Sequence, residues 1–356
     1  MKSEMTPRDR LLAAIDHQPT DRLPVDFWGV SEISKKLMDH LGVNDWFDFA
    51  KALNLDKPFG ASAPLIKEGR SDMWNVTYQE IKLPGGEGVY YETDGHPLAD
   101  YETIDEIEAN YEWPTTDMFD YSGIKEQCVN IRNKGYAVEI GYISLTWFYT
   151  SIRGIEQMLY DFGGNSQLAE HILFRINEFA SAHIRKMLEA ADGLADITQI
   201  TDDFGSQHGL LMSKAMIDRY VGKYYDSNIA MAREFNVRVF HHDDGAIMNL
   251  IPWICGKGIN VLNPIQWHLP GWDLHKLKSE YGKDLCFHGG IDNQHVLPFG
   301  KPDEIRAEVR ACIDALWTDK TGYILAPCHN VQANTPVENV LLMYEYAQEY
   351  SAKKAG

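Results

Sequence analysis

Short apolar runs alternate with longer amphipathic stretches along most of the chain, and from Tyr136 onward the alternation is regular. Residues 137–141, 196–203, 237–244, 260–265, 285–290 and 322–329 read as strands: they are brief, rich in β-branched and aromatic residues, and bounded by turn-forming ones. Helix-period segments separate them at about 166–191, 213–235, 246–256, 273–281, 302–316 and 336–350, with two more helical segments after 137–141. Upstream, Thr6-Pro7 supplies a cap and a first-turn proline for a helix reaching His17. A strand at 23–29, a weaker one at 61–65 and helices at 32–41, 45–53, 103–112 and 121–134 complete the pattern. The sum is about eight βα units, the number that closes a (β/α)8 TIM barrel. One stretch breaks the rhythm: residues 74–83 and 89–93 are β-like and joined by Pro84-Gly-Gly-Glu-Gly88, so the N-terminal third carries a β-hairpin excursion over one end of the fold. No repeat, low-complexity tract or long linker divides the chain, and a single domain over 1–356 is expected.

Composition narrows the partners. The formal net charge of -19 leaves no basic stripe for nucleic acid and has the wrong sign for an anionic membrane surface. No apolar run reaches spanning length, and Met1-Lys-Ser-Glu-Met leads into a polar helix without a secretory signal. Five scattered cysteines without a CxxC spacing suit reduced thiols, and a cytoplasmic location is expected.

Candidate chemistry gathers at the strand ends. Val237-Arg-Val-Phe reads as a buried strand and runs straight into His241, His242, Asp243 and Asp244, with Gly245 opening the next helix. An Asp cap and a core His would account for one of each, but four such groups in a row are costly to bury without purpose. Glu139, Asp202-Asp203, Asn263 and Gln266, His288 and Asp292, and Cys328-His329-Asn330 fall at other predicted strand ends. In a parallel barrel those ends share one face and converge on one pocket. Trp28, Trp147, Phe148, Tyr149 and Trp267 follow predicted strand ends and are candidates to line it. No GxGxxG, P-loop or GxSxG occurs, so a nucleotide cofactor and a serine nucleophile have no support.

These residues and their surroundings resemble the uroporphyrinogen decarboxylase superfamily over nearly the whole chain: Thr6-Pro-Arg-Asp-Arg-Leu-Leu-Ala-Ala14, Asp21-Arg-Leu-Pro-Val25, Asp202-Asp-Phe-Gly-Ser-Gln207, Asn263-Pro-Ile-Gln266, Phe287-His-Gly-Gly-Ile-Asp292 and Thr335-Pro-Val-Glu-Asn339. The resemblance implies a TIM barrel with its site at the C-terminal face. It implies one of two activities. Decarboxylases of the superfamily carry an arginine-containing segment after the first strand, where this chain has Phe27-Trp-Gly-Val-Ser31. Corrinoid-dependent methyltransferases bind zinc through His-x-Cys-Gly and a cysteine near the last strand. Here His242-Asp243-Asp244-Gly245 has Asp for the first cysteine, and His329 falls on the second, beside Cys328. The resemblance therefore implies a metal, zinc, held by His242, Asp244, His329 and Cys328. Catalytic roles are expected of His242, Asp202, Asp203, His288 and His329, and substrate binding of Glu139, Trp28, Trp147, Tyr149, Asn263, Gln266 and Asp292. The expected activity moves a methyl group between a small donor, a methoxylated aromatic, and the cobalt of a separate corrinoid protein. A decarboxylase and a non-catalytic barrel that binds a tetrapyrrole or corrinoid are the alternatives.

Overall fold

The structure is a computed structural model that describes residues 4–82 and 89–355; the Pro84–Gly88 turn expected for the hairpin lies outside them. Strands β1 (Phe59–Gly60), β4 (Val138–Ser144), β5 (Ile197–Thr201), β6 (Arg238–His242), β7 (Val261–Asn263), β8 (Cys286–Ile291) and β9 (Tyr323–Pro327) form one sheet in that order, while β2 (Thr77–Lys82) and β3 (Val89–Gly95) form the antiparallel hairpin. Every neighbouring pair in the large sheet is parallel. Segment 24–30 closes the ring: Val25 bridges Leu325, Gly29 bridges Val331, and on the other side the Asp56 N–H donates to the Val25 carbonyl. The chain is a TIM barrel with the hairpin over one end.

Inward and outward residues alternate as a barrel requires. Ala137, Ile197, Phe240, Val261, Cys286 and Ile324 pack inside, plugged by Leu11, Ala14 and Ile15 of the helix Pro7–Ile15. Arg10 fastens that plug through ion pairs to Asp21 at 2.5 Å and Asp56 at 2.6 Å. Outward residues such as Val239, Leu262 and Phe287 pack against the helix layer.

Several expectations shift for local reasons. The first strand, expected at 23–29, pairs only through bridges, because Pro24 has no N–H and the Phe27 N–H is taken by the Asp26 carboxylate. The strand expected at 61–65 is Phe59–Gly60 instead; Pro64 interrupts the later stretch, and Leu65 bridges Phe119. β4 does not end at Gly141: that glycine, at φ 85°, makes an irregularity after which the strand resumes to Ser144. The helix expected from Ala246 begins later, as a 3₁₀ turn Met248–Leu250 and then Ile251–Lys257. Gly245 sits at φ 105° with the backbone of Ser206 2.7 Å from where a Cβ would be, so residues 244–247 form a turn pressed on the β5 loop. Among the described residues no helix is long and apolar enough to cross a membrane.

Candidate functional site

The inward end of β6 is the centre of the site. Strand alternation sends His242 into the barrel and His241 out toward the helices. A chain of hydrogen bonds then orients the inward ring. His242 Nδ1–H donates to Asn263 Oδ1 at 2.5 Å, Asn263 Nδ2–H donates to His288 Nδ1 at 2.7 Å, and His288 Nε2–H donates to Asp26 Oδ2 at 2.9 Å. The Trp28 indole also donates to Asp26, at 3.2 Å, and its ring stacks on His242 with centroids 5.5 Å apart. An amide between two imidazoles allows one assignment in which every proton has an acceptor, and it leaves His242 Nε2 with its lone pair free.

That lone pair faces acids and a second imidazole. His242 Nε2 lies 3.8 Å from Asp244 Oδ2 and 3.8 Å from Asp203 Oδ1, and His329 Nε2 lies 3.8 Å from the same Asp244 oxygen. Ligand atoms of His242, Asp244 and His329 are all within 4.8 Å of one another. Asp244 Oδ1 is buried without a hydrogen-bond partner. Burial raises the Asp244 carboxyl and lowers the His329 imidazole, each partly offset by the opposite charge facing it. Two nitrogens and a carboxylate converging with an unpartnered oxygen fit a divalent ion; the spacings are slightly wider than the ~3.3 Å between ligands of a tetrahedral zinc.

The other expected residues divide sharply. Asp203 borders the cluster, and Trp28 covers it. Asn263 and His288, expected to bind substrate and to catalyse, instead lie behind His242 and orient it. Asp202 is not free for catalysis. It is buried and accepts from the Thr146 N–H and hydroxyl at 2.6 Å each, and from Ser144 and Tyr225 at 3.1 Å each. Burial still pushes its carboxyl up to about 7. Tyr149 is a core residue whose hydroxyl donates to Asp161, so it lines nothing. Cys328 is not with the metal-type cluster: its thiol donates to the Ile265 carbonyl and faces a separate small cavity of about 130 Å³, shared with Gln266 and Asp292. Gln266 Oε1 accepts from the Gly245 N–H at 2.6 Å, and Asp292 caps the N–H groups of Gln294 and His295. Glu139 lies one layer deeper than a strand end, bonded by Gln199, and burial raises its carboxyl to about 7. Trp147 is half-exposed and lines a cavity of about 300 Å³ that reaches Asp203.

Asp26 is the residue that sequence reasoning missed. Its signal was present: a carboxylate at an inward position of the first strand, two residues before Trp28, is costly to bury without a partner.

With this geometry in place, relatives can be weighed. The family model described as uroporphyrinogen decarboxylase (URO-D) matches residues 145–350, more than half of the chain. Comparison with curated protein sequences found no match. Among solved structures, a methyltransferase from Methanosarcina mazei is similar with a TM-score of 0.68 and 18% identity, covering 98% of this chain and 99% of that one. A sugar phosphate isomerase/epimerase from Parabacteroides distasonis reaches a TM-score of 0.39 at 8% identity, over 92% of this chain and 97% of that one, too low to bear on the argument.

Proposed function

Because the chain belongs to the uroporphyrinogen decarboxylase family, whose name describes a reaction this site is poorly built for, we propose a methyltransferase that moves a methyl group from a methoxylated aromatic to the cobalt of a separate corrinoid protein. The observation that carries the reading is the ordered His242 ring: its Nε2 is fixed by Asn263, His288 and Asp26 toward Asp244 and His329. A decarboxylase of a polyanionic tetrapyrrole needs cations. Segment 27–31 has none, Trp28 fills its place against His242, and no Lys or Arg lines the cavities at Asp203, Cys328 or Glu139.

Methyl transfer asks little covalent chemistry of the protein. The carbon–oxygen bond breaks with its electron pair on oxygen, and the methyl passes to a strong nucleophile brought by the partner, so the chain must align the ether and make the oxygen a better leaving group. A divalent ion held by His242 Nε2, Asp244 and His329 would supply a Lewis acid at that oxygen. His242 is kept from rotating by its hydrogen bond and the Trp28 stack. Trp147, Ile155 and Met158 provide an apolar wall beside Asp203 against which the ring of the ether can pack.

The test mixes the purified protein with free cob(I)alamin, kept reduced, and a panel of methoxylated aromatics under anaerobic conditions. Methylcobalamin should form, seen in the absorption spectrum. Carbon dioxide release from uroporphyrinogen at an enzymatic rate, with no methylcobalamin from any donor, would replace this reading with the decarboxylase.

A further inference from the structure

The cavity beside the cluster says more about its ligand than its size does. It encloses about 300 Å³ between the helices Leu145–Arg153 and Ile155–Gly164, the hairpin and the β5 loop, in the range of small-molecule sites. Trp147, Ile155, Met158 and Leu211 make its walls apolar. Most of its hydroxyls already spend their protons elsewhere, Thr93 on the hairpin excepted. The Thr146 hydroxyl donates to Asp202, and the hydroxyls of Thr150 and Ser151 both donate to the Trp147 carbonyl. His96 Nδ1–H donates to the Ser151 carbonyl. Asp203, on the wall nearest His242, adds its two carboxyl oxygens. Apart from the Thr93 hydroxyl, the cavity therefore offers a ligand acceptors: hydroxyl lone pairs, the Asp203 oxygens and His96 Nε2.

Among the described residues no guanidinium or ammonium lines it to answer a negative ligand. Arg153, on the adjoining helix, is buried in an ion pair with Asp161 and donates to the carbonyls of Leu98 and Tyr101. Lys57, whose field reaches Asp26 and Glu139, donates to the Phe27 carbonyl and lies over the rings of Trp46 and Phe59. A carboxylate placed in this cavity would lose its hydration, find no Lys or Arg to pair with, and face Asp203 at short range.

We propose that the methyl donor is an uncharged phenyl methyl ether bearing a hydroxyl, whose O–H donates to this acceptor-rich, cation-free lining, and not a methoxybenzoate. The inference rests on the demethylation reading above. On transfer the ether oxygen keeps the bonding pair and takes a proton from solvent, giving a dihydroxy ring and a methylated corrinoid.

The decisive pair of ligands differs at one ring position: o-methoxyphenol and o-methoxybenzoate. Calorimetric titration of the protein alone should show the phenol binding at least tenfold more tightly, and methylcobalamin formation from cob(I)alamin should rank the two alike. Leu211→Lys, which puts an ammonium on the half-exposed wall of the cavity, should improve benzoate binding at least threefold and narrow or reverse the phenol's advantage. Benzoate bound as tightly as the phenol and demethylated as fast would overturn this inference and leave the methyltransferase reading standing. Neither ether bound or demethylated would overturn both.

Discussion

β6 ends in two histidines and two aspartates, and the structure uses them as two different pairs. His242 and Asp244 face the barrel mouth, with a free Nε2 and an unpartnered carboxylate oxygen. His241 and Asp243 face the other way and are fully buried. His241 Nδ1–H donates to the Ile200 carbonyl at 2.9 Å, and Asp243 Oδ1 accepts from the N–H groups of Phe204 at 2.8 Å and Gly205 at 3.2 Å. Their remaining polar atoms, His241 Nε2 and Asp243 Oδ2, face each other 3.7 Å apart. Burial drives the Asp243 carboxyl well up and the His241 imidazole down, so each is disfavoured in its charged form. Identical side-chain chemistry thus does opposite work: the outward pair staples the β5 loop to β6, and the inward pair keeps its lone pairs for a ligand.

The largest effect should separate the two histidines. His242→Ala should lower methyl transfer by at least ~100-fold and abolish stoichiometric divalent metal, while changing unfolding stability little. His241→Ala should do the reverse, costing on the order of 3 kcal/mol in denaturant unfolding through a cavity and orphaned partners, with activity per folded molecule kept within a few-fold. If metal content and activity survive in His242→Ala, the inward pair is not a ligand set and the contrast collapses.

Next in size is the staple itself. Asp243→Ala leaves the Phe204 and Gly205 N–H groups buried without acceptors and should cost roughly 2–4 kcal/mol. Because that loop also carries Asp203, metal affinity should weaken only as a consequence of the loop loosening, and stability measured with and without metal distinguishes the two effects. An equal loss of metal affinity and no loss of stability would place Asp243 among the ligands.

A smaller change probes orientation. Asn263→Ala removes the acceptor for His242 Nδ1–H and the donor to His288, so the ring can flip its tautomer and turn. Metal affinity and activity should fall ~10–100-fold, the range typical of outer partners of metal ligands. His288→Gln, which keeps a hydrogen-bonding side chain behind Asn263, should fall less. A drop confined to the KM for the ether, with metal affinity unchanged, would return Asn263 to substrate binding.

How much of this was legible in the sequence depends on range. The eight βα units follow from alternation and turn residues, which are local, and so does the helix cap at Thr6, which accepts from the Asp9 N–H. The convergence of His242, Asp244 and His329 was legible because barrel topology brings strand ends together whatever lies between them. What failed was direction and partner. Tyr149 follows β4 by five positions, but on a helix that turns it inward to Asp161. Asp202 and Asp203 are adjacent, yet one is consumed by Thr146, Ser144 and Tyr225 and the other is half-exposed beside His242. Cys328 precedes His329 just past β9 and turns its thiol to the Ile265 carbonyl instead of the cluster. Each depends on contacts between distant segments, which one sequence does not encode in any local pattern.

The inward–outward contrast recurs at lower amplitude in a second place, where pH can read it. Glu139 and His183 both line one cavity of about 320 Å³, walled by Phe119, Phe148 and Phe179. Glu139 is on β4 and bonded by Gln199; His183 is on the outer helix Ser166–Ala190, with its Nδ1 bonded to the Tyr121 hydroxyl. Burial raises Glu139 to about 7 and lowers His183 to about 4, so each is disfavoured in its charged form. The signs are opposite. Between the unfolded value near 4.5 and about 7 the folded protein binds the Glu139 proton more tightly than the unfolded chain, so stability falls as pH rises through that window. Between 6.5 and about 4 the unfolded chain takes the His183 proton first, so stability falls as pH drops. Urea unfolding at pH 5 and pH 8 should therefore show Glu139→Gln gaining ~1–3 kcal/mol on the native chain at the higher pH relative to the lower. His183→Gln should gain at the lower pH instead, by a similar or smaller amount. If Glu139→Gln shifts stability equally at both values, Glu139 is ionised in the folded protein at neutral pH. The cavity would then hold a charge that its aromatic walls do not explain.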